Sequence, residues 1–183
     1  MKVLMIIPAY NEEESILNTV MSIVEYRKKV DFDLDYVVIN DGSVDRTKEI
    51  LDSHHLNAIH LVMNLGIGGA VQTGYKYALE KNYDVAVQFD GDGQHDIESL
   101  DTLLEPIRRQ QADLVVGSRF IGDKSSEFQT TFMRRFGITI ISAFIKLTTG
   151  KRILDTTSGY RLANRDIIRQ FAARYPIKYP EPE

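Results

Sequence analysis

The sequence predicts an α/β fold, a Rossmann-like, mostly parallel sheet flanked by helices. Three observations predict it. Five short runs rich in Val and Ile, at residues 3–7, 36–39, 59–63, 85–89 and 114–116, have the continuous apolar character of strands buried on both faces. Helical patterns at residues 13–30, 45–54, 69–81 and 97–110 lie between them, the alternation expected of βαβ units. Polar or glycine-rich residues follow each of the first four runs, and in open α/β sheets ligands bind outside the carboxyl ends of the strands.

Lys2 followed by Val3-Leu4-Met5-Ile6-Ile7 has the look of a signal peptide, but Pro8 ends the apolar stretch and Asn11-Glu12-Glu13-Glu14 follows. That core is too short for a signal, so the run is a first strand. The second run closes on Asn40-Asp41-Gly42-Ser43, the third on Asn64-Leu65-Gly66 and the fourth on Asp90-Gly91-Asp92. After the fifth run, residues 117–131 look like a loop and 132–149 like a helical segment apolar on most sides. Residues 155–161 form a further polar loop, and 165–175 a last helix capped by Asn164. With no internal repeat and no linker, residues 1–183 form one domain.

Composition sets limits on function. A chain of 183 residues buries a sizeable core without staples, and 43% hydrophobic with 26% charged residues is ordinary for a soluble globular protein. A net charge of −4 argues against a nucleic-acid partner. The absence of cysteine excludes disulfides, a thiolate nucleophile and a zinc–thiolate site. No stretch is long and apolar enough to predict a transmembrane helix.

The polar clusters carry the chemistry. In Asp90-Gly91-Asp92-Gly93-Gln94, two carboxylates two residues apart at a strand end can approach one hard cation, and Gln94 adds a neutral oxygen. Such a set suits Mg²⁺ or Mn²⁺, which would neutralise charge on a leaving diphosphate. An EF-hand is excluded, because His95 occupies the required glycine position and Asp101 the glutamate position. A plain polar turn is the competing reading, and His95 is given no metal role. At the end of the second run Asp41 can accept from a base N–H or a ribose hydroxyl, whereas Ser43 and Asp45 suit helix capping. Tyr10 can stack on a base, and Glu12 is either a ligand or a first-turn helix charge. Gly66-x-Gly68-Gly69-Ala70 resembles a dinucleotide loop but departs from its fingerprint, so a helix start built for close packing is the expectation. Arg119 and Arg161 offer forked donors to phosphate oxygens, and Asp155 and Ser158 can face an acceptor.

Pro8-Ala9-Tyr10-Asn11-Glu12-Glu13, Asn40-Asp41-Gly42-Ser43-x-Asp45, Asp90-Gly91-Asp92-Gly93-Gln94-His95, Gly117-Ser118-Arg119 and Thr157-Ser158-Gly159-Tyr160-Arg161 stand in the order seen in family 2 glycosyltransferases. The chain most resembles the dolichol-phosphate mannose synthase and polyprenyl-phosphate glycosyltransferase branch, over nearly its whole length. The resemblance implies a GT-A fold and inverting transfer from a UDP- or GDP-linked sugar to a polyprenyl phosphate or a lipid-linked saccharide, in cell-envelope glycan synthesis. By the same analogy Pro8, Tyr10, Glu12 and Asp41 hold the nucleoside, with Ala9 and Gly91 also among the substrate-binding residues. Asp90 contacts nucleotide and metal, Asp92 and Gln94 ligate the metal, and Arg119 and Arg161 meet phosphates.

Asp155 is the candidate base if the acceptor is a sugar hydroxyl; a lipid phosphate is already ionised and needs none. The apolar segment at 132–149 is either a core helix or an interfacial helix whose Arg134, Arg135 and Lys146 face lipid headgroups. Peripheral membrane contact or a membrane partner protein, a location at the cytoplasmic face and a homo-oligomer are the further expectations. Relatives commonly continue past Tyr179-Pro180-Glu181-Pro182-Glu183, so a shortened acceptor side is expected. Two rivals stand beside this reading. A sugar-phosphate nucleotidyltransferase would carry a glycine-rich basic loop after the first strand, where this chain has Pro8-Ala9-Tyr10-Asn11. A nucleotide-sugar-binding module would not need the acidic ligand set.

Overall fold

The computed structural model describes residues 1–90, 97–117 and 159–175. Strands β1 (Lys2–Ala9), β2 (Asp33–Asn40), β3 (Ala58–His60), β4 (Val85–Gln88), β5 (Leu114–Val116) and β6 (Arg161–Asn164) form one sheet in the order β3-β2-β1-β4-β6-β5. β1, β2, β3 and β4 are mutually parallel, and β6 runs antiparallel between β4 and β5. The helices are α1 (Ile16–Arg27), α2 (Thr47–Ser53), α3 (Gly66–Glu80), α4 (Leu100–Arg108) and α5 (Arg165–Ala173), with a 3-10 turn at Ile97–Ser99 before α4. The predicted mostly parallel sheet between helices is what the chain forms.

Strand alternation divides the core into two layers. Val3, Met5, Ile7, Leu34, Val38, Val85 and Val87 point to one face, where Ile16, Val20 and Ile23 of α1, Leu51 of α2 and Leu104 of α4 cover them. Leu4, Ile6, Val37, Ile39 and Ala86 point to the other, under Ala70, Val71 and Tyr75 of α3 and Ile168 of α5. The chain walks outward from β1 to β3 with α1 and α2 on the first face, then crosses back over the second on α3 to place β4 beside β1. Gly74 makes that crossing close: a Cβ there would stand 2.9 Å from Cγ1 of Ile6 and closer still to its Cγ2. That close approach falls at Gly74, in the middle of α3, not at its glycine-rich start, where a Cβ on Gly66 would meet nothing within 4 Å.

Three expectations need correction. The third run ends at His60 rather than residue 63, and Val62 and Met63 are 103% and 65% exposed. Leu61 N–H still bonds Asn40 O at 2.9 Å, after which the chain turns away. Second, β5 is an edge strand with Leu114 and Val116 exposed, not a strand buried on both faces. Third, Arg161 is not in a loop: it opens β6, opposite Gln88 of β4 and Val116 of β5. The capped last helix is present, with Asn164 Oδ1 accepting from the N–H groups of Asp166 and Ile167 at 3.1 Å each. The segment at 132–149 lies outside the described residues.

Candidate active site

The topology fixes where a ligand binds. β1 and β4 are neighbours, with β2 and β3 on one side and β6 and β5 on the other, so strand order reverses between them. In doubly wound sheets the crevice lies at that reversal, beyond the strands' carboxyl ends. Register aligns those ends: Ala9 pairs with Asn40, Asn40 with His60, and Ile6 with Gln88. Pro8 and Ala9 are buried at the rim, and Tyr10 follows them exposed. Because β6 is antiparallel, its starting residues, Gly159 to Arg161, meet this same edge.

On the β1–β2 side, side chains lace loop to loop. Asn11, at φ 58°, accepts the Val44 N–H on Oδ1 at 2.9 Å and donates its own N–H to Ser43 Oγ at 3.0 Å. Glu12 N–H donates to Thr47 Oγ1 at 2.8 Å, and Glu13 Oε2 accepts Arg46 N–H at 2.9 Å. Asp45 accepts the N–H groups of Glu13 and Thr47 at 3.1 and 3.0 Å. Burial pushes the Asp45 pKa up, but the Thr47 hydroxyl and these N–H groups outweigh it and hold the carboxyl below its usual range. The expected helix-capping role of Ser43 and Asp45 needs correction: they bond the first loop, and α2 has Arg46 at its N-cap position with no side-chain cap. The Glu12 carboxylate accepts Ser15 Oγ at 2.6 Å, at the start of α1.

Asp41 is the carboxylate these loops present. It is 3% exposed, its N–H bonds Ala9 O at 2.9 Å, and Oδ1 accepts Leu65 N–H at 2.7 Å. Oδ2 has no hydrogen bond among the described residues. Gly42, at φ +68°, lets the third loop come this near: a Cβ there would lie 2.8 Å from Asn64 N and 2.9 Å from Met63 C.

On the β4–β6–β5 side, backbone and aromatic rings come close together. Phe89 N–H bonds Ile6 O at 2.9 Å, and the Phe89 ring meets Tyr160 edge-on at 5.4 Å. One residue further, Asp90 lies against Gly159: a Cβ at 159 would stand 2.6 Å from Asp90 Cγ and overlap its Oδ2. Gly117 N–H bonds Tyr160 O at 2.8 Å and joins the end of β5 to the same point. On the face under α3 and α5, Tyr175 Oη donates to Gln88 Oε1 at 3.3 Å, and Tyr75 packs on Phe171 and Tyr175. The buried Tyr75 hydroxyl has no hydrogen-bond partner among the described residues, and burial pushes its pKa up, an effect Tyr175 adds to and the nearby Arg161 charge opposes.

Tyr10, Asp41, Asp90 and Arg161 thus share one edge of the sheet. Gly91, Asp92, Gln94, Arg119, Asp155 and Ser158 lie outside the described residues, as does His95. Among the described residues no three carboxylates or histidines are grouped to hold a metal. A depression of about 490 Å³ opens between the first two loops, bordered by Asn11, Glu12, Glu13, Glu14 and Asp45. Its carboxylates make it an unfavourable place for an anion. Reasoning from sequence gave no role to Asn40, His60 or Gly159; Asn40 and Gly159 sit inside the quoted motifs, and nothing local marks His60.

Comparisons with known proteins agree with this geometry. The chain is 35% identical to the undecaprenyl-phosphate mannosyltransferase of Micrococcus luteus, over 92% of this chain and 69% of that protein. It is 31% identical to the UDP-N-acetylglucosamine–dolichyl-phosphate N-acetylglucosaminyltransferase of Methanococcus voltae, over 95% of this chain and 74% of that one. Its fold matches glucosyl-3-phosphoglycerate synthase from Mycobacterium tuberculosis, solved with Mn²⁺, UDP-glucose and phosphoglyceric acid, with a TM-score of 0.64 and 19% identity. That match covers 91% of this chain and 57% of the larger one, and it identifies the GT-A fold. The sequence profile of glycosyl transferase family 2 matches residues 5–171, and the chain belongs to that family.

Proposed function

We propose that this domain transfers a sugar from a nucleoside-diphosphate sugar, UDP- or GDP-linked, to a polyprenyl phosphate. The observation that carries the proposal is the meeting of Asp41, Asp90 and Arg161 at one sheet edge, beside the β1/β4 reversal. Asp41 Oδ2 accepts a base N–H or ribose hydroxyl, Tyr10 stacks on the base, and Pro8, Ala9 and Glu12 complete the nucleoside wall. Arg161, with Arg119, meets the diphosphate. The named relatives act on undecaprenyl and dolichyl phosphates, which supports a lipid phosphate here.

Asp90, Asp92 and Gln94 would hold Mg²⁺ or Mn²⁺, with Gly91 giving room for the nucleotide. Their hard oxygens fit such an ion, and the placement of Asp90 beside Gly159 at the crevice agrees with that role. Bound there, the cation supplies charge neutralisation for the departing diphosphate. The acceptor oxygen attacks the anomeric carbon in line, a new C–O bond forms, and the bond to the diphosphate breaks with its electron pair. A phosphate acceptor arrives ionised and needs no base; for a hydroxyl acceptor, Asp155 would take the proton and Ser158 would orient it. Among the described residues no helix is long and apolar enough to cross a membrane. We place the reaction at the cytoplasmic face, where a water-soluble donor meets a lipid acceptor through peripheral contact or a membrane partner.

Donor turnover should be measured across UDP- and GDP-sugars, with and without polyprenyl phosphate and Mn²⁺ or Mg²⁺. Turnover that requires both lipid and cation supports the proposal, and Asp92→Ala should abolish the cation requirement for nucleotide binding. Nucleotide binding without turnover of any donor would favour a binding module instead.

A further inference from the structure

Asn40 closes β2, is 2% exposed, and uses both ends of its amide. Oδ1 accepts the Ser43 N–H at 3.1 Å, and Nδ2 lies 3.0 Å from His60 Nδ1. His60 Nε2 lies in turn 3.0 Å from Asp52 Oδ1 of α2. A backbone N–H can only donate, so the amide oxygen must face Ser43 and Nδ2 must face His60. Nδ2 can only donate, so His60 Nδ1 accepts, and the ring proton sits on Nε2, where Asp52 receives it. One backbone N–H thereby dictates the tautomer of a histidine on the next strand.

We propose that neutral His60 is a positioning residue: it holds Asn40, and through Ser43 it holds the loop that presents Asp41 to the donor nucleoside. This rests on the nucleoside reading of Asp41. The chain of contacts continues, since Ser43 Oγ accepts the Asn11 N–H and so fixes the first loop as well. Gly42 lies between Asp41 and Ser43 and has no side chain to hold it, so the Asn40 bond is what restrains that peptide.

Protonation of His60 makes Nδ1 a donor, facing the Asn40 amide hydrogens. Rotating the amide satisfies the imidazolium but turns Nδ2 against the Ser43 N–H. No orientation of Asn40 serves both, so one of the two bonds is lost. Among the described residues the charged group touching the ring is Asp52, and it keeps its contact in either charge state.

Two substitutions separate the bonds. His60→Asn keeps an oxygen near the place of Nδ1 and drops Asp52; His60→Gln reaches towards Asp52 and leaves Asn40 without its acceptor. The measurements are UDP and GDP affinity with Mn²⁺ by calorimetry, and hydrogen-exchange protection of the Ser43 amide without ligand. His60→Gln should bind nucleotide about fivefold more weakly, the effect of losing one hydrogen bond, with Ser43 protection reduced and His60→Asn close to wild type. Equal Ser43 protection in all three proteins overturns the relay, whatever the affinities. If the wild type binds neither nucleotide, the nucleoside reading fails, and Ser43 protection still decides the relay.

Discussion

The two halves of the crevice are built differently. Around β1 and β2, side chains of the exposed Asn11 and of the buried or half-buried Asn40, Asp41, Ser43, Asp45 and Thr47 bond backbone groups of these loops. Each bond contributes about 1 kcal/mol, and several share the work of fixing any one loop. Around β4, β6 and β5 the backbone is brought close by glycine, and one carboxylate rests against it. In the first half several contacts hold each loop; in the second, Asp90 lies where Gly159 leaves no room for a side chain.

That contrast is tested most severely at Gly159. Gly159→Ala puts a methyl where the Asp90 carboxylate lies, and displacing a catalytic group by about 1 Å costs on the order of 100-fold in rate. We expect kcat/KM for donor transfer to fall by about that factor; an unchanged value would mean that Asp90 needs no fixed position. Asp41→Asn is the next largest. It keeps an oxygen for the Leu65 N–H and removes the charge, so calorimetry should show nucleotide affinity about tenfold lower, with the melting temperature near wild type. An equal loss of melting temperature would make Asp41 a loop anchor only.

Asp45 offers a smaller, pH-dependent test. Its folded pKa is depressed, so its stabilisation is present above the unfolded carboxyl range and is lost as pH falls through the folded value. Asp45→Asn should therefore show a flatter acid limb in denaturant unfolding, and identical limbs would remove Asp45 from the lacing. Tyr75→Phe should have the smallest effect. It deletes a buried hydroxyl that has no partner among the described residues, so stability should stay level or rise by up to about 1 kcal/mol. A clear drop in the thermal melt would show that the hydroxyl is engaged in solution.

Periodicity made the inner strands legible, because β1, β2 and β4 are buried on both faces and must be apolar throughout. It overran β3, where Val62 and Met63 continue the apolar run after pairing has stopped. It missed β6, whose four residues begin with Arg161 and end with Asn164; Leu162 and Ala163, the two apolar residues between, are too few to show a period, and they enter the two core layers one on each face. The motif residues were legible because strand ends gather polar groups at one edge. Their supports were not. The partner of Asn40 is twenty residues away, and the Gly159–Asp90 contact depends on an antiparallel pairing that no local pattern announces.

The bond from Gly117 N–H to Tyr160 O joins two points far apart in sequence. The two ends of the intervening sequence, Gly117 and Tyr160, therefore meet at the sheet. Closure entropy grows only logarithmically, about 0.6 kcal/mol for each doubling of length. The intervening sequence can consequently be lengthened, shortened or rewritten by evolution at little thermodynamic penalty to the sheet. Its returning end stays beside Asp90, whose carboxylate lies against Gly159. The pairing of β5 with β6 thus lets the sequence between them change while the sheet stays intact.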